Sequence, residues 1–233
     1  MAVRPVYLPN PGKDVPVRTE MVEFKWHPGL SVAQKQRSIA SLHEVARLAV
    51  GGTSILEVSS KSMNPLGVRL SAFNLAFTSP FTGRPLSVEC AFQGSKKFQQ
   101  GGPYTDLLSV SAREAKRDPR LRASGNLTTF SFDGMDWPLE PQTLFYDWLY
   151  INALRENSDL AQAVMDYGAF TDIEFNPKES INCQAYSVAL YVSLEKQGRL
   201  EKVTRSPEAF QEFANGTKVN NARQNDERQA SLF

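Results

Sequence analysis

Glu89, Gln93 and Lys96 place a carboxylate, an amide and an amine at steps of four and three within residues 86–98. If that stretch is a helix, the three line one stripe. Val88, Ala91, Phe92 and Ser95 then supply a second, mostly apolar stripe that can face a core. Glu89 and Lys96 lie seven positions apart, too far for a salt bridge between helical neighbours. Two readings of the spacing stay open: the polar face of a solvated surface helix, or three groups that share one ligand.

Three further pieces can do chemistry. Arg69 and Ser71 precede Phe73 in a strand-like setting, residues 67–74. There Arg69 can hold a phosphate through two parallel hydrogen bonds, or serve as an ordinary surface arginine. Trp137 follows Asp136 on a turn, and its indole either stacks on a base or packs a core. Asp172 and Asn182 lie on either side of Asn176-Pro177. Asn182 is placed to cap a helix or, turned inward, to bind ribose hydroxyls.

Composition narrows the options. With 233 residues, 41% of them apolar and 22% charged, the chain buries a sizeable core as an ordinary globular protein. A formal net charge of +1 gives no global field toward nucleic acid or acidic membrane, so any such contact needs a local patch. Cys90 and Cys183 are too few for a disulfide framework or a structural zinc site. His27 and His43 are too few for a histidine-rich metal centre or a Ser-His-Asp triad, so no metal and no cofactor is expected. No apolar run reaches membrane-spanning length, and the N-terminal residues lack a signal-peptide apolar region, which makes the cytoplasm the expected compartment.

The elements that must position these groups follow from pattern and punctuation. Residues 1–30 are rich in proline, with one alternating run at 15–26 that reads as a strand or an extended arm before the His27-Pro28-Gly29 turn. Ser31 caps a helix on which Ile39, Leu42, Val45, Ala46 and Ala49 recur at helical spacing until Gly51-Gly52 stops it. Strands are expected at 53–59, 68–75 and 126–132. Helices are expected at 109–117, 141–156, 158–167, 180–198 and 207–213, with a turn carrying Trp137 at 133–138 and a loop at 171–178. Residues 218–229 read as a polar tail. The fold class is α+β, mainly helical with a few short strands: an arm at 1–30, one domain at 31–200, and a C-terminal helix and tail at 201–233.

The order of these pieces resembles the NADAR family. Its signature helix carries a Glu, an aromatic-Gln pair and a Lys, standing here as Glu89, Phe92-Gln93 and Lys96. Leu70-Ser71-Ala72-Phe73 is similar to the family's Leu-Ser-Asn-Phe stretch, with Ala72 in place of Asn. Arg113-Glu114-Ala115-Lys116 resembles its Ala-Lys stretch, and Asp136-Trp137 its Asp-Trp before a long helix. Residues 180–185 resemble its Gly-x-Asn-x-Leu-Gly but lack both glycines and the leucine, so Asn182 alone carries over. The likeness covers residues 66–196, within a NADAR-like catalytic domain at 31–200. The chain's length, the 145–150 helix and the 172–175 loop look like the branch of antitoxins to DarT-type DNA ADP-ribosyltransferases.

The resemblance implies an N-glycosidase that cuts between an anomeric carbon and a nitrogen, releasing ADP-ribose from the amino group of guanine in DNA. Its implied partners are ADP-ribosylated DNA, ADP-ribose as product, and a DarT-type toxin. It gives catalytic roles to Glu89 and Lys96. Substrate binding falls to Arg69, Ser71, Phe73, Phe92, Gln93, Lys116, Trp137, Asp172 and Asn182. Such a reaction needs the leaving nitrogen protonated and the charge at the anomeric carbon stabilised. Glu89 suits the first task. Lys96 either forms a Schiff base with the opened sugar or holds a phosphate as a cation. Two other functions stay open: a glycosidase acting on a ribosylamino-pyrimidine of the riboflavin pathway, and a non-catalytic protein that binds ADP-ribose or the toxin.

Overall fold

The computed structural model describes residues 1–12, 14–177 and 180–217. It opens with an antiparallel hairpin: β1 (Ala2–Pro9) runs against β2 (Val17–Phe24), with Ala2 opposite Phe24 and Pro9 opposite Val17. Helix α1 (Val32–Ala49) follows. The Ser31 hydroxyl accepts from Gln34 N at its start, and Gly51 and Gly52 at φ +68° and +78° end it. After β3 (Ile55–Glu57) comes α2 (Pro65–Arg69), where a strand over 68–75 is expected from sequence. Capping overrides the apolar pattern here. Asn64 Oδ1 accepts from Leu66 N at 3.0 Å, and Pro65 sits in the first turn, where its missing N–H costs nothing. The chain then turns, with Asn74 N and Leu75 N both donating to Ser71 O at 2.8 Å.

A short hairpin, β4 (Ala76–Thr78) with β5 (Pro85–Ser87), leads into α3 (Val88–Gly94), capped by Ser87. The helix expected over 86–98 therefore ends at Gly94. Lys96 instead opens β6 (Lys96–Phe98). Next come α4 (Ala112–Arg117), held by a Ser111–Glu114 capping box, and α5 (Arg120–Ala123). β7 (Leu127–Phe132) and β8 (Met135–Trp137) join across Asp133-Gly134, both at positive φ, so Trp137 ends a strand and is not on a turn. Helices α6 (Leu144–Glu156) and α7 (Ser158–Ala163) precede β9 (Ala169–Thr171). The chain closes through α8 (Gln184–Lys196), α9 (Leu200–Thr204) and α10 (Pro207–Gly216). The tail expected at 218–229 lies outside the described residues.

The main sheet has the order β2-β1-β9-β3, with β3 and β9 parallel, and a second sheet runs β6-β7-β8. Tyr7 of β1 stands opposite Phe170 of β9, and Val6, Tyr7, Val17 and Phe24 are buried. The first residues are thus a built-in part of the sheet and not an arm outside it. Ile39, Leu42 and Ala46 of α1 join Val22 and Phe24 in one cluster. The larger cluster holds Tyr7, whose ring meets Tyr186 of α8 edge-on at 5.5 Å, together with α3, α6 and α8. The fold is α+β, with helix outweighing strand. Among the described residues, no helix is long and apolar enough to cross a membrane.

Close packing under the site rests on Gly67 of α2. A Cβ there would lie 1.9 Å from the Glu57 carbonyl oxygen and 2.5 Å from Ser62 Oγ. Backbone cannot yield as a flexible side chain does, so Gly67→Ala should destabilise by about 3 kcal/mol, the upper end of what overpacking typically costs. A urea denaturation midpoint within experimental error of wild type would contradict this packing.

Candidate functional site

Helix α3 is buried along its whole length, and that includes Glu89 (6% exposed) and Gln93 (7%). The solvated-face reading falls on this observation. Two backbone bonds fix the helix start to the turn that carries Ser71: Val88 N donates to Leu75 O and Glu89 N to Ala72 O, both at 2.9 Å. Two further side chains hold that turn. Tyr150 of α6 donates to Leu70 O at 2.5 Å, and Gln184 of α8 accepts from Ala72 N at 2.8 Å. The central helices of the core thus set the geometry from which Glu89 projects.

Glu89, Gln93, Phe92 and Lys96 open into one cavity of about 920 Å³, which Ser71, Phe73, Lys116, Asp172 and Asn182 also line. Sequence residues scattered over a hundred positions meet here. Arg69 and Trp137 do not. Ending a helix and not lying in a strand, Arg69 pairs with Asp159 on the surface at 2.6 Å, both side chains more than half exposed. Trp137, 2% exposed, packs between Phe145 and Trp148 at 5.4 Å from each, the core role for an indole.

The polar chemistry is specific. Gln93 Nε2 donates to Glu89 Oε1 at 2.8 Å. Lys96 Nζ lies 4.6 Å over the Phe92 ring. Burial pushes the Lys96 amine down to about 8; Glu89 opposes that shift and Lys116 adds to it. Lys116 Nζ in turn lies 5.1 Å over Phe73. Asp172 Oδ1 accepts from Glu174 N at 3.0 Å and Phe175 N at 3.2 Å. Burial, then the nearby Glu57, holds its carboxyl well above the usual range. Glu57 itself accepts from Ile173 N at 2.8 Å and Thr171 Oγ1 at 2.7 Å, so it grips both neighbours of Asp172.

Among the described residues, the buried side-chain polar atoms without a hydrogen-bond partner include Ser71 Oγ, Gln93 Oε1 and Asn182 Oδ1. All three residues line the cavity. Buried polar groups are nearly always paired, so this cluster marks the place of a polar ligand. The wall is also cationic. Lys61, Arg113, Arg117 and Arg122 join Lys96 and Lys116 around it, against the carboxyls of Glu89, Glu140, Asp172 and Glu174, a local excess of cations that suits a multiply charged anion.

Several of these groups escape a reading of single residues. Arg113, Lys116 and Arg117 stand at i, i+3 and i+4, a helical spacing that could have flagged one basic face. Glu57 interrupts the apolar run Ile55-Leu56-Glu57-Val58, a signal for a buried carboxylate. Tyr146 and Arg122 carry no local signal. The electrostatics of Lys96 can be checked directly. Glu89→Gln removes a charge that favours the ammonium and should lower the Lys96 midpoint below about 8, whereas Lys116→Gln should raise it. Amine labelling of Lys96 against pH, read by mass spectrometry, distinguishes these shifts from none.

The family model of DarT1-associated NADAR antitoxins matches residues 2–224, nearly the whole chain and including the N-terminal hairpin. No curated protein matches the chain.

Proposed function

The chain belongs to the DarT1-associated NADAR antitoxin family, and on that premise we propose that it releases ADP-ribose from the amino group of guanine in DNA. The observation that carries this reading is the meeting, in one cavity, of a buried carboxyl, a lysine of lowered basicity and three unpartnered buried polar atoms. The cationic wall suits the diphosphate. Ser71 and Asn182 suit sugar hydroxyls, and the aromatic residues Phe73, Phe92 and Tyr146 in the cavity lining suit a base.

In this account the lone pair of the exocyclic nitrogen opens the sugar ring to an iminium between that nitrogen and the anomeric carbon, as Glu89 gives its proton to the departing ring oxygen. The Lys96 amine adds to the iminium carbon, and Glu89 takes the proton this addition leaves on the lysine nitrogen and passes it to the guanine nitrogen. Guanine departs as its neutral amine with the C–N electron pair, leaving a lysine iminium. Water then adds to the lysine imine, returning free Lys96 and ADP-ribose. An amine with its midpoint near 8 is unprotonated in about one molecule in ten at pH 7, and burial is what supplies that fraction. A DarT-type toxin is the partner whose product such an activity removes.

Glu89→Gln should lower release of ADP-ribose from a modified guanine oligonucleotide at least about a hundredfold, with binding of free ADP-ribose largely retained. Undiminished turnover would remove Glu89 from the acid's role. Borohydride added during wild-type turnover should leave an ADP-ribose adduct on Lys96, and its absence while turnover proceeds would make Lys96 a purely electrostatic group.

A further inference from the structure

Gln93 is buried, and its two amide ends have different fates. Nε2 donates to Glu89 Oε1, while Oε1 is buried without a partner, on a residue that lines the cavity. The direction of the amide is set by chemistry. A carboxyl oxygen that carries no hydrogen can only accept, so the amide must present its NH2 to Glu89 and its carbonyl to the ligand. The same bond occupies Glu89 Oε1, so Oε2 is the oxygen from which Glu89 can pass on a proton. A proton donor and a hydrogen-bond acceptor thus stand side by side one turn apart on α3. They fit a ligand in which the nitrogen to be protonated is flanked by an atom bearing hydrogen.

We infer that Gln93 Oε1 selects the base by accepting a hydrogen bond from a ring N–H adjacent to the nitrogen that Glu89 protonates. This rests on the reading of Glu89 as the acid in guanine release. Guanine substituted on its exocyclic amine keeps N1–H next to the scissile nitrogen. Thymine substituted at ring N3 presents two carbonyl oxygens there, and adenine substituted at its amine presents a bare ring nitrogen. Each of those would set an acceptor against a buried acceptor, which leaves both unpaired. Phe92, adjacent to Gln93 in the chain, and Tyr146 line the same cavity and give it apolar surface beside the polar groups.

The test compares single-stranded oligonucleotides carrying ADP-ribosylated guanine with the same strands methylated at guanine N1, using wild type and Gln93→Met. Methionine keeps the length of the side chain and removes the acceptor. N1 methylation should lower kcat/KM of wild type by about tenfold to a hundredfold, and the variant, slower overall, should treat both strands alike. If the variant does not turn over, the same comparison is made on its binding of the two strands. A wild type indifferent to methylation would overturn the inference, leaving the amide oxygen to a sugar hydroxyl. An equal loss in both proteins would overturn it too, since the methyl would then act by bulk alone. A wild type that leaves unmethylated ADP-ribosylguanine intact would sink the functional reading itself, a result distinct from either.

Discussion

Ser131 N–H takes the carbonyl of Ser95 at 2.7 Å, and from there Lys96 pairs with Phe130 as the first residue of a strand. That pairing turns the backbone sharply where the helix from Val88 ends. Had the helix continued, Lys96 would have extended the Glu89–Gln93 stripe along its own axis. The turn instead returns the amine over Phe92, within electrostatic reach of both Glu89 and Lys116. The placement of one charged group beside another at this site is a consequence of sheet pairing, and only Glu89 and Gln93 owe their proximity to the helix.

Burying such groups has a cost that the surrounding backbone offsets. Asp172 is held by two amide N–H groups and Glu57 by an amide and a hydroxyl. Thr171 also meets His43 Nε2 at 2.8 Å, so a hydrogen-bonded chain ties α1 to the wall of the cavity. Satisfied atoms of this kind make the frame rigid. The unsatisfied ones on Ser71, Gln93 and Asn182 belong to residues that line the cavity. Desolvation acts on Lys96 in the same direction as the role proposed for it, since an amine that loses its proton easily is one that can add to an imine carbon.

The sequence disclosed part of this arrangement, for physical reasons that differ by residue. Glu89 and Gln93 were legible because a four-residue step within a helix is a local property. Ser31 and its helix were legible for the same reason. Lys96 was legible as a residue type and not as a position, because its strand exists only through pairing with residues some thirty positions on. Residues 68–75 alternate like a strand, yet Asn64 and Pro65 settle them as helix and turn. Arg69 and Trp137 have the right chemistry for a phosphate and a base, and tertiary packing spends them elsewhere. The order of the motifs along the chain pointed to the family that the match over residues 2–224 then established.

The central claim is that this cavity acts on ADP-ribose attached to guanine. The most direct test incubates the wild-type protein with single-stranded oligonucleotides ADP-ribosylated on guanine or on thymine and follows each strand by mass. The account predicts that the guanine strand returns to its unmodified mass with stoichiometric release of ADP-ribose, while the thymine strand stays modified. A guanine strand left intact by active, folded protein, or a thymine strand restored as readily, would contradict it.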